Sequence, residues 1–325
     1  MAKTYVTGDL HGDVDGRFGK KNLERVGVAP GDLLVVLGDA GVLWDTSPAD
    51  WARGEAFVTD TFLISDLARA WPGDVAFIDG NHDNHPVLAA LETAERWGGE
   101  VGVVCDGLYH LRRGGVYDLP AGDGAARAWC MGGAWSIDQD WRSEGVDWWP
   151  EEVPSEAEIE AARASLSREG WGADFILTHE CPTPMRDALT RDSPFGPVDH
   201  TDRLQEFLDG VDERAGFDRW YCGHYHVDRD VGSCHTCLYT AVVPLGATAG
   251  ESQFSGCDVP NAQDPHESSG KDVDVYEMGE LEDGTFRDAG MIHIESHPCG
   301  GTEVGAGLPV ISWAPAPVPF TGARR

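Results

Sequence analysis

The chain has 325 residues, enough for one large domain or two ordinary ones, and 41% of them are hydrophobic. No apolar run approaches the length of a membrane span, and the first strand begins without a hydrophobic leader, so we expect a cytoplasmic protein without a membrane partner. Asp and Glu number 56 against 24 Lys and Arg, a net charge of −32. This acidity, whether it serves solubility or adaptation to high salt, repels nucleic acid.

The first predicted strand, residues 4–7, ends in Gly8-Asp9-Leu10-His11-Gly12. Asp9 and His11 lie one residue apart on an extended turn, where a carboxylate oxygen and an imidazole nitrogen can bind one divalent transition metal. For this motif alone, a polar turn after a buried strand is the better explanation. The metal interpretation gains weight because strands followed by ligand-type residues recur along the chain.

Strands and helices alternate over the next part of the chain. The predicted elements are helix 14–26, strand 33–37, helix 50–70, strand 75–78 and helix 86–97. The second strand ends at Gly38-Asp39, and the third at Asp79-Gly80-Asn81-His82-Asp83. Strand–loop–helix units in succession predict an α/β layered fold, in which ligands bind at the carboxyl ends of the strands.

The second half of the chain contributes three more candidate ligands. The predicted elements here are strands 108–111, 115–119 and 128–131, a helix 155–168 opened by a capping box, strand 173–178, helix 199–215 and strand 218–222. The last two strands end at His179 and at Gly223-His224-Tyr225-His226. In an extended His-x-His both imidazoles project to one side, as metal ligation requires. The aromatic segment around Trp148 and Trp149 either packs a long loop or lines a substrate pocket.

Seven ligand-type side chains thus follow predicted strands: Asp9, His11, Asp39, Asn81, His179, His224 and His226. Each histidine taken alone is explained as well by a place in the core or on the surface. The convergence of all seven favours a metal site at the strand ends. Oxygen and nitrogen ligands without cysteine suit Mn, Fe, Zn or Ni, and we favour Mn.

Five motifs together resemble the signature of the calcineurin-like metallophosphoesterases over residues 4–246. They are Gly8-Asp9-x-His11, Gly38-Asp39, Gly80-Asn81-His82-Asp83, Thr178-His179 and Gly223-His224-x-His226. Residues 148–155 also resemble a small prokaryotic and phage-associated branch of that family, whose substrates are poorly defined. The resemblance implies a calcineurin-like four-layer α/β/β/α sandwich with a dinuclear metal site at the carboxyl ends of the strands.

The resemblance also implies roles for individual residues. Asp9, His11 and His226 would hold one metal, Asn81, His179 and His224 the other, and Asp39 would bridge them. His82 would be the catalytic histidine, which as an imidazolium stabilises developing charge or protonates the leaving oxygen. The implied reaction is hydrolysis of a small phosphomonoester or phosphodiester by a hydroxide that the two metals activate. The alternatives are a nuclease or nucleotide phosphodiesterase, against which the acidic surface argues, and a metal-binding scaffold without turnover.

Two departures from the family pattern matter. Val42 stands where relatives carry the acid that orients the catalytic histidine. The phosphate-binding arginine of the same motif is also absent. Asp79 stands where protein phosphatases have an arginine. These losses argue against protein phosphatase and dinucleoside tetraphosphatase activity. They also require another group to orient His82.

The predicted catalytic domain covers residues 1–246, and 247–325 form a linker and C-terminal extension. Within the extension, residues 273–282 and 285–294 are expected to form a small hairpin. The proline-rich segment 313–319 favours an extended polyproline conformation. No candidate ligand lies in the extension.

Overall fold

The computed structural model describes residues 1–14, 17–191, 198 and 200–251, together with the strand backbones of 273–280 and 286–294. The described strands are β1 (Thr4–Thr7), β2 (Leu33–Val36), β3 (Val75–Phe77), β4 (Thr93–Arg96), β5 (Gly99–Cys105), β6 (Leu108–Leu111), β7 (Gly115–Pro120), β8 (Ala125–Met131), β9 (Phe175–Thr178), β10 (Arg219–Cys222), β11 (Arg229–Val231), β12 (His235–Cys237), β13 (Val242–Pro244), β14 (Val273–Glu280) and β15 (Phe286–Ile294). The described helices are α1 (Lys20–Val26), α2 (Pro48–Ala52), α3 (Val58–Ala70), α4 (His85–Ala90), α5 (Glu156–Arg168), α6 (Thr183–Thr190) and α7 (Arg203–Arg214). Among these helices, none is long and apolar enough to cross a bilayer.

Strands β1 to β13 form two sheets. The first has the order β13-β1-β2-β3-β6-β5-β4, and the second has the order β11-β12-β10-β9-β8-β7. In the first sheet β1, β2, β3 and β6 run parallel to one another, and in the second β8, β9, β10 and β12 do so. Because parallel strands end at the same edge of a sheet, the loops that follow them are brought together.

The two sheets pack face to face, and helices cover the outer face of the first sheet. Leu33 and Val35 of β2 point into a core shared with Leu177 of the second sheet. Leu34 and Val36 point the other way, into a core built with helices α1, α3 and α4. A strand covered on both faces needs apolar residues at every position, which explains the uninterrupted apolar run in this part of the sequence.

Helices α5 and α7 cover the outer face of the second sheet. Trp129, Ile176 and Trp220 project from β8, β9 and β10 into a core with Leu166 and Leu208. Fully burying an apolar side chain of this size stabilises the fold by roughly 1.5–3 kcal/mol. The layers therefore follow the order helix, sheet, sheet, helix, which confirms the predicted α/β/β/α sandwich.

Two predicted helices are wrong in their extent. The predicted helix 50–70 is divided into α2 and α3, because Gly54 has a φ of 72° and leaves the helical path between them. The predicted helix 86–97 ends at Ala90, and the following residues form β4, which pairs with β5. Trp97 and Gly98 have φ values of 48° and 75°, which suit the two central positions of a tight hairpin turn. The pairing of β4 with β5 therefore overrides the helical propensity of residues 91–97.

Other predicted boundaries differ less. Helix α1 begins at Lys20 and α7 at Arg203, both later than predicted, and α6 was not predicted at all. The capping box of α5 is confirmed, because the Ser155 hydroxyl accepts the backbone N–H of Glu158. In return, the Glu158 carboxylate accepts the backbone N–H of Ser155 at 2.8 Å.

The chain divides into two compact units, of which one contains both sheets and the other spans residues 259–309. In the second unit β14 and β15 pair antiparallel, with Val273 opposite Ile294. The predicted domain boundary at residue 246 stays a prediction. The predicted linker over 252–272 and the proline-rich segment 313–319 lie outside the described residues.

Candidate metal centre

The loops that follow five strands from both sheets carry the predicted ligands. Asp9 and His11 follow β1, Asp39 follows β2, Asn81 follows β3, His179 follows β9, and His224 and His226 follow β10. Ligand atoms lie within 4.8 Å of one another in two groups, one formed by Asp9, His11 and His226 and the other by Asp9, Asp39 and His179. Both sheets are therefore needed to assemble the site.

The first group is built around Oδ2 of Asp9. Nε2 of His226 lies 3.0 Å from this oxygen and 3.1 Å from Nε2 of His11. The oxygen is buried, and it accepts no properly aligned hydrogen bond. Burying an unsatisfied polar atom costs roughly 1–3 kcal/mol, and more when the group is charged. A divalent cation among these three side chains would satisfy the oxygen, so the donor set fits a metal ion.

The second group is built around His179. Its Nε2 lies 3.0 Å from Oδ1 of Asn81 and 3.4 Å from Oδ2 of Asp39. Its Nδ1 lies 2.6 Å from the carbonyl oxygen of Leu37. Since a carbonyl oxygen can only accept, Nδ1 carries a hydrogen and donates it. This bond fixes the ring so that Nε2 points to Asp39 and Asn81, the arrangement expected of a metal-binding histidine.

His224 lies at the margin of the second group. Its ring centroid is 5.0 Å from that of His179, and its Nε2 is 3.9 Å from Oε2 of Glu180. Glu180 is buried and accepts a hydrogen bond of 2.5 Å from the Tyr225 hydroxyl. The backbone N–H of His224 donates to Oδ1 of Asp9 at 2.9 Å, so this residue also contacts the first group. Glu180, which directly follows a predicted ligand, was not among the residues predicted from the sequence.

The electrostatic field of the site favours positive charge. Burial raises the pKa of Asp9, but interactions with His226 and His179 outweigh burial and hold that pKa at about 2. Burial opposes the charge of His179, yet Asp39 and Asp9 raise its pKa to about 10. Burial, and then the charge of His179, lower the pKa of His224 to about 4. Ionised carboxylates thus hold positive charge at the point where a divalent cation is expected.

Four of the predicted ligands have a left-handed backbone conformation. The φ values are 47° for His11, 49° for Asp39, 70° for His224 and 49° for His226. Residues with a Cβ atom rarely adopt this conformation, which costs of order 1–3 kcal/mol each where it is sparsely populated. Such strain persists where the surrounding structure enforces it, and it is concentrated at functional sites.

Two residues that the sequence analysis did not assign hold the loops in place. Oδ2 of Asp83 accepts the backbone N–H groups of Asp39 at 3.1 Å and of Gly80 at 2.7 Å. Burial, and then the charge of Asp39, raise the pKa of Asp83 to about 8. Arg17 is buried and donates to the carbonyl oxygen of Asp9 at 2.8 Å. Asp83 belongs to the third motif, whereas no sequence pattern pointed to Arg17.

His82 lies beside the ligands. Its backbone N–H donates to Oδ1 of Asp39 at 2.7 Å, and its ring centroid is 5.3 Å from that of His11. Its ring stacks on Trp44, with centroids 6.3 Å apart and planes inclined by 22°, and Nη2 of Arg142 contacts both of its nitrogens. Burial lowers the pKa of His82 to about 4, an effect that Asp39 opposes and Arg142 increases. Trp44 and Arg142 therefore contact the ring for which the sequence has no orienting acid.

The two positions where the chain departs from the family pattern are both buried. Val42 belongs to the apolar core between the first sheet and its helices. The Asp79 carboxylate accepts a hydrogen bond from Nε of Arg113 at 2.8 Å and lies 3.2 Å from Nε2 of His110. Burial opposes ionisation, but Arg113 and then His110 hold the pKa of Asp79 well below its usual range. The charge of Asp79 is thus neutralised by buried partners at the start of the loop that follows β3.

The aromatic segment packs against the loops of the site. Trp149 is 6% exposed and contacts Trp44 edge-on, with ring centroids 5.5 Å apart. Ser136, on the preceding loop, accepts a hydrogen bond of 2.9 Å from Nδ2 of Asn81. That bond fixes which side of the Asn81 amide is oxygen. Trp149 therefore packs a long loop, which is one of the two interpretations of this segment.

The chain matches no curated protein. A family model described as calcineurin-like phosphoesterase matches residues 2–228, more than half of the chain. The matched range contains all seven predicted ligands and His82. It also contains the loops in which the two groups of ligand atoms converge. The chain therefore belongs to the calcineurin-like phosphoesterase family.

Proposed function

We propose that this protein hydrolyses a small phosphomonoester or phosphodiester, and that it needs two divalent transition metal ions, with Mn favoured, to do so. Family membership supports a metal-dependent phosphoesterase in general. The observation that carries the proposal is the buried oxygen of Asp9, which lies among nitrogen ligands, 3.0 Å from Nε2 of His226, and accepts no properly aligned hydrogen bond. A metal ion would give this charged oxygen a bond of good geometry, which the imidazoles beside it do not supply.

The proposed ligand sets follow the two groups of side chains. Asp9, His11 and His226 would hold one ion, Asn81, His179 and His224 the other, and Asp39 would bridge the two. Oδ2 of Asp39 lies 3.9 Å from Nε2 of His11 and 3.4 Å from Nε2 of His179, a position between both sets that supports the bridging role. Two such ions, when bound, lower the pKa of water and neutralise charge on phosphoryl oxygens.

His82 is proposed to act on the leaving group. Because burial lowers its pKa to about 4, the ring is neutral near pH 7. A neutral imidazole still has one N–H donor, so we propose hydrogen-bond donation to the leaving oxygen in place of the imidazolium role. The backbone bond from His82 to Asp39 keeps the ring beside the proposed bridging ligand.

A screen of metals against substrates tests the proposal. Protein stripped with a chelator is loaded separately with Mn, Fe, Zn or Ni and assayed with p-nitrophenyl phosphate and with its bis-ester. We expect turnover that depends on the metal and disappears when the chelator is added again. Two bound metals without hydrolysis of either ester would favour the scaffold, and faster cleavage of a short oligonucleotide would favour the nuclease.

A further inference from the structure

Arg142 brings a permanent positive charge into the site from a distant part of the chain. It follows a short 3-10 turn, Gln139–Trp141, and its side chain is only 4% exposed. Its Nη2 lies 2.8 Å from Nδ1 and 2.6 Å from Nε2 of His82. A guanidinium stays charged at any physiological pH, so a cation is held directly beside the proposed catalytic histidine.

Asp138 holds Arg142 in this position. Its Oδ2 accepts from Nε of Arg142 at 2.8 Å and lies 2.6 Å from Nη2. The remaining amino group, Nη1, makes a long contact of 3.4 Å with the carbonyl oxygen of Asp147. A guanidinium has five N–H donors in one plane, and these acceptors do not use all of them well. The group is therefore fixed by Asp138 on one side, and the long contact of Nη1 leaves some of its donor capacity unused.

The contact with His82 does not satisfy the guanidinium. In either protonation state an imidazole has at most one acceptor nitrogen, and at least one of its nitrogens carries a hydrogen. One of the two short contacts therefore sets a donor against a donor. A phosphoryl oxygen carries negative charge and several lone pairs, and planar guanidinium groups bind phosphate through paired hydrogen bonds. An incoming phosphate ester is a better partner for Arg142 than the imidazole.

We propose that Arg142 binds a non-bridging phosphoryl oxygen of the substrate beside His82, and that Asp138 is its positioning residue. The inference rests on the proposed phosphoesterase function and assigns the phosphate-binding group of that site. It places this group on the loop between β8 and α5, whereas the Gly38-Asp39 loop carries no arginine. Substrate affinity and metal affinity would then depend on different residues.

The test compares Arg142→Ala and Arg142→Lys with Arg163→Ala, a control at a half-exposed arginine of α5 that pairs with Glu160. Metal-loaded proteins are titrated with inorganic phosphate in a calorimeter, and KM and kcat are measured with p-nitrophenyl phosphate. A hydrogen bond to a charged group contributes about 1.5–3 kcal/mol, so Arg142→Ala should weaken phosphate binding and raise KM about ten- to a hundredfold. Metal content should equal that of the wild type.

Further comparisons distinguish a role of Arg142 in phosphate binding from a purely structural role. Arg142→Lys should recover part of the phosphate affinity, and free guanidinium ion at low concentration should restore turnover in Arg142→Ala but not change Arg163→Ala. Asp138→Asn should weaken phosphate binding in the same direction by less. Unchanged phosphate affinity and KM in Arg142→Ala would overturn the proposal, and so would loss of bound metal in both Arg142 variants. If the metal-loaded wild type hydrolyses no ester, the proposed function fails, while the calorimetric comparison still decides the role of Arg142.

Discussion

Gly80 lies so close to Asp39 that a Cβ atom on it would be 2.0 Å from the carboxylate Oδ1. Gly80→Ala must therefore displace the proposed bridging ligand, and overpacking of this kind costs roughly 1–3 kcal/mol. We expect lower metal content by elemental analysis and a lower free energy of unfolding. Gly210→Ala is the matched control, because its Cβ meets no atom within 4 Å on helix α7 and should stabilise the protein by roughly 0.5–1 kcal/mol. Equal metal content in the two variants would contradict the proposed packing of the site.

Asp39→Ala should weaken both metal sites at once, because each proposed ion loses a ligand. Elemental analysis after reconstitution should find two ions per chain in the wild type and clearly fewer in the variant. Asp106→Ala removes an exposed carboxylate next to β5 and should leave the stoichiometry unchanged. A wild-type stoichiometry near zero would rule out the dinuclear site, and an Asp39→Ala protein that holds one ion as tightly as the wild type does would rule out the bridge.

His82→Ala should keep its metals and lose turnover, because His82 is assigned no bond to either ion. Groups that assist proton movement contribute about 10²–10⁴-fold in rate. The loss should be largest for esters with a poor leaving group, since p-nitrophenolate needs little help to leave. Rates equal to wild type with an alkyl phosphate would remove His82 from the mechanism.

His85 should make the fold sensitive to acid. Its Nδ1 lies 3.6 Å from Oδ2 of Asp79 and 3.3 Å from Nη2 of Arg113. Burial, and then the charge of Arg113, lower its pKa from 6.5 to about 3. Between these two values the unfolded chain binds a proton that the folded protein does not bind. This contribution to stability is therefore complete above about pH 6.5 and is lost progressively as the pH falls to about 3.

His85→Gln removes this titrating group, so its unfolding free energy should fall less steeply with decreasing pH over the same interval. Urea unfolding at a series of pH values measures the two slopes. Because other carboxylates and histidines titrate in both proteins, the difference between the slopes isolates His85. Identical slopes would show that this imidazole does not stay neutral when buried.

The C-terminal extension is expected to be dispensable for chemistry. A chain that ends after residue 251 keeps β13, which pairs with β1, and keeps the Ala247 carbonyl that accepts from the Tyr221 hydroxyl at 2.6 Å. We predict that it folds, binds metal and hydrolyses small esters at the rate of the full chain. Aggregation or loss of metal would place the extension within the catalytic domain and move the predicted boundary.

The ligands were predictable because each lies shortly after the end of a strand. A strand end such as Gly38-Asp39 or Thr178-His179 is a local pattern in the sequence. The rule that parallel strands end at one edge of a sheet then predicts that these strand ends meet. The hairpin of β4 and β5 was not predictable in this way, since its turn depends on positive φ at Trp97. Nor was the contact of Arg142 with His82, which lie 60 positions apart and meet only through the path of a long loop.

The separation of the ligands along the chain has a consequence for biosynthesis. His11 and His226 meet in space although 215 positions divide them, and β13 covers the outer edge of β1. A nascent chain leaving the ribosome therefore exposes Asp9, His11 and the unpaired edge of β1 long before His226 and β13 have been synthesised. The full set of proposed ligands exists only once residue 226 has been synthesised. A metal ion bound by this set would stabilise only those molecules in which the loop after β1 has already met the loop after β10.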